Sequence, residues 1–229
     1  MIPFKDNVPT RTTPVVTILF IAVNLAVFLY QTVVPLETNV ALVYLLGVIP
    51  ARVTDLPSWL FPGLHNPGVS MLSSMFMHGG WMHLGGNMLY LWIFGNNVED
   101  AMGHLRFVAF YLLCGVAAAA AQVISAPAST APMIGASGAV SGILGAYLIL
   151  HPFARVKTLI IIIFFIRVIE LPALIVLGVW FMFQIINSLS APSSAAGVAW
   201  YAHIGGFLVG LALIRFFQSR RVPRRYARQ

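Results

Sequence analysis

The chain has 229 residues, of which 59% are hydrophobic and 8% charged, with a formal net charge of +7. Soluble domains carry roughly a quarter charged residues, so a water-solvated globule is excluded as the main architecture and the bilayer becomes the reference solvent. The positive charge does not read as nucleic-acid binding, because it gathers at the ends of apolar runs, where anionic lipid headgroups account for it.

A bilayer core of roughly 30 Å takes about 20 mostly apolar residues per helical crossing. In chain order, the sequence predicts crossings at 14–34, 69–94, 105–125, 137–150, 171–189 and 200–217, followed by a basic tail at 218–229. The first run follows Met1-Ile-Pro-Phe-Lys-Asp with no small-residue cleavage site and reads as an uncleaved anchor. The connection 35–68 holds Trp59, Leu60, Phe61 and Leu64 among Pro57, Pro62 and Pro67, which predicts a loop resting in the membrane interface rather than a crossing. The fourth run is short and is expected to start below the membrane surface. The apolar stretch 158–169 is followed by Glu170 and Pro172 and reads as a short interfacial or re-entrant segment leading into the fifth helix. The connection 190–199 is small and polar, which predicts a mobile cap.

Lys5 and Arg11 precede the first run, Arg155 and Lys157 follow the fourth, and Arg215, Arg220, Arg221, Arg224, Arg225 and Arg228 close the chain. An even number of crossings puts all of them on one side, predicted cytoplasmic for both termini. A seventh crossing at 158–169 would send the terminal arginines outside. No repeat or polar insert separates a second unit, so 1–229 reads as one membrane domain. Cys114, the single cysteine, sits in an apolar run and reads as a buried structural thiol.

Polar side chains inside a crossing are costly and mark function by default. The second run holds His78, His83 and Asn87; the fourth opens with Gly135-Ala-Ser137-Gly138; the sixth holds His203. Serine needs a base within hydrogen-bond reach to act as a nucleophile, and histidine is the usual one. Ser137 and His203 fall near the same ends of their helices. The pairs Gly138/Gly142 and Gly206/Gly210 put small residues four apart on each, which lets two backbones approach closely. His83 and Asn87, spaced i, i+4, share a helical face and supply donors for an oxyanion together with the Ser137 N–H. No Asp or Glu lies in the fourth or sixth run, so a dyad without a carboxylate is expected, with His203 held by packing and by whatever meets its other ring nitrogen.

Gly135-x-Ser137-Gly138, His83-x-x-x-Asn87 and Ala202-His203-x-x-Gly206-x-x-x-Gly210 resemble the signature of bacterial rhomboid proteases, in the same chain order and across nearly the whole chain. The resemblance implies an all-α, six-transmembrane-helix rhomboid fold in a cell (inner) membrane. It also implies an intramembrane serine endopeptidase that cleaves single-pass transmembrane substrates without metal or cofactor. Ser137 would be its nucleophile, His203 its general base, and His83 and Asn87 its oxyanion donors, with His78 in support. Two positions depart from the pattern. The outer loop lacks a Trp-Arg pair, and Ser141 stands where an aromatic residue often packs on the catalytic imidazole.

Other readings fit less well. A zinc site from His78, His83 and His203 lacks His-Glu-x-x-His, and i, i+5 spacing on one helix would set His78 and His83 roughly 140° apart. An aspartyl protease needs two embedded aspartates, whereas Asp6, Asp55 and Asp100 lie outside the runs or at their ends. A transporter would favour repeats and paired broken helices. The remaining rival is an inactive rhomboid-like protein that binds transmembrane clients; such relatives usually lack the serine or the histidine.

Overall fold

The computed structural model describes residues 1–60, 66–162, 165–190 and 198–219. The cap expected at 190–199 and the basic tail at 218–229 fall largely outside them. Among the described residues, four helices are long and apolar enough to cross a bilayer: α1 (Val15–Val33), α8 (His104–Ser125), α10 (Ala173–Ser190) and α11 (Trp200–Phe217). Between them stand α9 (Ser137–Leu150), short and almost wholly buried, and α6 (Trp81–Tyr90), which runs through a π-helical turn at Leu91–Gly95 into α7 (Asn96–Met102). This is a helical membrane protein.

The central packing is set by glycine and alanine. A Cβ on Gly206 would collide with the Gly138 carbonyl, one on Gly210 with the Gly142 carbonyl, and one on Gly145 with the Phe207 carbonyl. The first two contacts advance together by four residues along both chains, so α9 and α11 run parallel with their backbones touching. On the other side, a Cβ on Gly138 would stand 2.5 Å from Ala118 of α8. In lipid there is little hydrophobic drive between helices, so close backbone packing of this kind carries the association.

α1 lacks an N-cap side chain, because Pro14 offers none. Glu99 of α7, 0% exposed, serves instead: its carboxylate accepts from Val16 N (2.9 Å), Thr17 N (2.8 Å) and Thr17 Oγ1 (2.7 Å), and meets His104 Nδ1 at 2.6 Å.

Two expectations change and a third is sharpened. The second run is not one helix from Val69: α5 (Pro67–Ser73) and a 3₁₀ turn at Ser74–Phe76 end at Met77, an extended Gly80 follows, and a second helical stretch starts at Trp81 and reaches Met102. The outer connection is more helical than a Pro-broken loop, with α2 (Leu36–Leu46), α3 (Pro50–Thr54) and α4 (Leu56–Leu60) separated by Gly47 and Asp55. The stretch 158–169, expected as a short interfacial or re-entrant segment leading into the fifth helix, is strand on both sides of residues 163–164: β2 (Arg155–Ile162) and β3 (Phe165–Pro172) pair antiparallel, and β1 (Ile2–Asp6) adds in the order β1-β2-β3. Its isoleucines and valines are β-branched, stiff at χ1 and better suited to a pleated strand than to a helix.

The sheet gathers one end of the molecule. Arg155 N donates to Asn7 Oδ1, Asn97 Nδ2 and Tyr147 Oη donate to Asp6 Oδ2, and Ser219 Oγ donates to the Met102 carbonyl. Lys5, Arg155 and Lys157 therefore share an end with the foot of α11. Ser137 and His203, at the N-termini of α9 and α11, lie at the opposite end.

Candidate active site

The turn into α9 is fixed before the helix begins. Gly135 takes φ +128°, a conformation that favours glycine, and its N–H donates to the Ser74 carbonyl at 2.8 Å. A Cβ there would stand 2.6 Å from His83 Nε2 and 3.7 Å from Ser137 Oγ, so Gly135 also leaves the gap between those two side chains open. Ser137 is the first residue of α9. Its N–H is among those that an α-helix leaves without an intrahelical acceptor, at the positive end of the helix dipole.

His203 stands in the first turn of α11, 8% exposed, and its Nε2 lies 2.8 Å from Ser137 Oγ. Close approach of α9 and α11 through Gly138 and Gly206 makes that distance reachable. The other ring nitrogen, Nδ1, is 2.8 Å from Gln184 Oε1 on α10. Aromatic neighbours are Trp180, with ring centroids 6.0 Å apart, and Trp200, edge-on at 6.1 Å. These indoles occupy the surroundings of an imidazole that Ser141 cannot pack against; Ser141 Oγ instead donates to the Ser137 carbonyl at 2.6 Å.

His83 and Asn87 both lie on α6 and face the same cavity. Gly79 N–H points at His83 Nδ1 from 3.4 Å, an acceptor role for that nitrogen that leaves the proton on Nε2, on the side of Gly135. Asn87 is buried, and its Nδ2 has no hydrogen-bond partner among the described residues. An unpaired buried amide is costly unless something fills its valence at some stage of the molecule's work. His78 lies ahead of α6 rather than on it, so the 140° argument from helical spacing does not apply: the His78 and His83 rings meet edge to face at 5.0 Å. The His78 backbone N–H donates to Gln31 Oε1 at 3.0 Å, tying the segment to α1.

The cavity shared by these groups has a volume of about 1000 Å³ and runs from Trp81 and Met82 past Ser137 and His203 to Trp180 and Val198. Of the aromatic residues of α10, Trp180 lines it. Phe181 stacks on Phe207 at 4.4 Å, and Phe183 faces outward. Gln184 was missed in the sequence, although an amide in an apolar run is the same costly signal that drew notice to Asn87.

A helical membrane protein with a serine and a histidine in hydrogen-bond contact at the ends of two touching helices belongs to a narrow class. A family model described as Rhomboid domain matches residues 66–220. The chain belongs to the rhomboid family. It is 29% identical over 170 residues to Rhomboid protein 1, mitochondrial, of Saccharomyces cerevisiae, covering 70% of this chain and 45% of that protein. It is 31% identical over 135 residues to Rhomboid protease GluP of Bacillus subtilis, covering 59% of this chain and 24% of that one. With the human presenilin-associated rhomboid-like protein, mitochondrial, it shares 28% identity over 195 residues, 74% of this chain and 47% of the relative. The chain thus spans less than half the length of these curated relatives.

Proposed function

We propose that this chain is an intramembrane serine endopeptidase that hydrolyses peptide bonds in or near the transmembrane segments of single-pass proteins. The observation that carries the reading is the 2.8 Å approach of His203 Nε2 to Ser137 Oγ at the wall of a cavity of about 1000 Å³. Ser137 Oγ attacks the scissile carbonyl as His203 Nε2 takes its proton, and the imidazolium returns that proton to the leaving amine. Water then resolves the acyl-enzyme, with His203 acting again as base. The developing oxyanion is held by the Ser137 N–H, the His83 Nε2–H and the free Asn87 amide, donors aimed in advance at a site of low dielectric. His78 supports His83 by edge-to-face contact, and Gly135, Gly138, Gly206 and Gly210 keep the gap and the helix contact that the pair requires.

The substrate must unwind locally, because an intact helix hides its carbonyls in hydrogen bonds. The one membrane domain sits with both termini and the sheet on the cytoplasmic side, the bacterial inner membrane being the compartment that best fits the basic flanks. Water then reaches Ser137 from the opposite face.

The test is cleavage of a single-pass substrate by the purified chain in liposomes, beside Ser137→Ala and His203→Ala. Both variants should fall to background, and an active-site fluorophosphonate should label only chains that retain Ser137. Cleavage that survives Ser137→Ala, or a wild type inert to both substrate and label, would overturn the reading in favour of a client-binding member of the family.

A further inference from the structure

We infer that Gln184 of α10 is the positioning residue that sets the tautomer of His203, in place of the carboxylate that α9 and α11 lack. The inference rests on His203 acting as the base and follows from hydrogen-bond bookkeeping that begins outside the pair. The Trp180 carbonyl can only accept, and Gln184 Nε2 lies 3.0 Å from it, so the amide nitrogen must face that carbonyl. The other amide atom, Oε1, therefore faces His203 Nδ1 at 2.8 Å, and an oxygen there can only accept. His203 Nδ1 must then carry the proton. In the neutral ring this leaves the lone pair on Nε2, pointing at Ser137 Oγ from 2.8 Å. Three contacts in series, each with one chemically allowed direction, convert a backbone carbonyl of α10 into a base correctly protonated for attack.

The alternative tautomer would be doubly wrong. It would put Nε2–H against the serine hydroxyl and leave Nδ1 facing an amide oxygen, lone pair to lone pair. Gln184 is 6% exposed, so water does not readily replace it. Among the described residues no Asp or Glu lines the cavity, and His83 and Tyr90 are the titratable side chains that share it with His203. A neutral amide orients the ring without adding charge. Because Gln184 belongs to α10 while the reacting groups belong to α9 and α11, the base is ordered only while α10 remains seated against α11.

Two readouts separate this inference from the proposed activity. The first needs no turnover: ¹⁵N spectra of histidine-labelled protein in detergent, with the His203 signals identified by their loss in His203→Ala. Wild type should show Nδ1 protonated and Nε2 bare at pH values where the ring is neutral, and Gln184→Leu should lose that preference. The second is kinetic. Gln184→Leu should lower kcat by about 10- to 100-fold with KM changed by less than about twofold, part of what a well-placed base contributes. Gln184→Glu keeps the shape and the acceptor, so it should retain cleavage. Its carboxylate favours the imidazolium, so the acid limb of its pH–rate profile should move to higher pH. Gln184→Leu with wild-type kcat, or with the His203 nitrogen pattern unchanged, overturns the inference. A wild type that cleaves nothing but shows the Nδ1-protonated ring sinks the protease reading and leaves the tautomer assignment standing.

Discussion

Asn87 Nδ2 is a buried donor with no partner among the described residues, on the helix face that looks toward Ser137. In a resting protein such a group only costs free energy. Its retention fits a role in which the partner, an oxyanion, exists only during reaction. Asn87→Ala should therefore lower kcat by about 10²–10³ with KM little changed, the effect of removing one oxyanion donor. Kinetics on a single-pass substrate in liposomes check this, and a loss confined to KM would assign Asn87 to substrate binding instead. The site residues on α6, α9 and α11 were legible in the sequence because each is a polar intruder in an apolar run. Gln184 carried the same signal but gave no hint of its target, since its meaning depends on which side of α10 faces His203.

At the scale of the element, the contact of α9 with α11 is the structural condition for the 2.8 Å pair. Gly206 has no room for a methyl group: its missing Cβ is where the Gly138 carbonyl sits. Gly206→Ala should push the helices apart, destabilise the fold by about 1–3 kcal/mol, as overpacking of a close-packed contact does, and reduce Ser137 labelling by fluorophosphonate together with cleavage. Thermal unfolding in detergent reads the first effect, and a variant with unchanged midpoint and labelling would show that α9 and α11 tolerate a wider spacing. Glycine spacing was visible along each chain. Which glycine meets which carbonyl was not, because register between helices is fixed by three-dimensional contact.

For the whole molecule, the sheet end and the site end have opposite chemistry. At the sheet end, burial pushes the Asp6 carboxyl up from 3.8 to about 6, even though Tyr147 Oη donates to it at 2.5 Å. A group whose folded value is raised stabilises most below its unfolded value, and that contribution is lost as pH rises through the folded one. The unfolding midpoint of the wild type should therefore fall between about pH 4 and pH 7 more than that of Asp6→Asn, which cannot ionise; equal slopes would exclude Asp6 as the source. Composition was enough to establish a membrane protein, and charge placement anticipated that Lys5, Arg155 and Lys157 share an end. Run lengths anticipated the four long apolar helices, and polar intruders gave the family signature and several residues of the cavity, because each of these signals is local along the chain. Tertiary structure alone decided the rest. An apolar run of isoleucines is ambiguous between helix and strand until β1 pairs with it from about 150 residues away in sequence. The break in the second run ahead of Trp81 is where the Gly135 N–H reaches the Ser74 carbonyl, a contact no local pattern announces. The partner of His203 Nδ1 lies on a helix that touches it only after folding, and long-range contact of that kind leaves no periodicity to read.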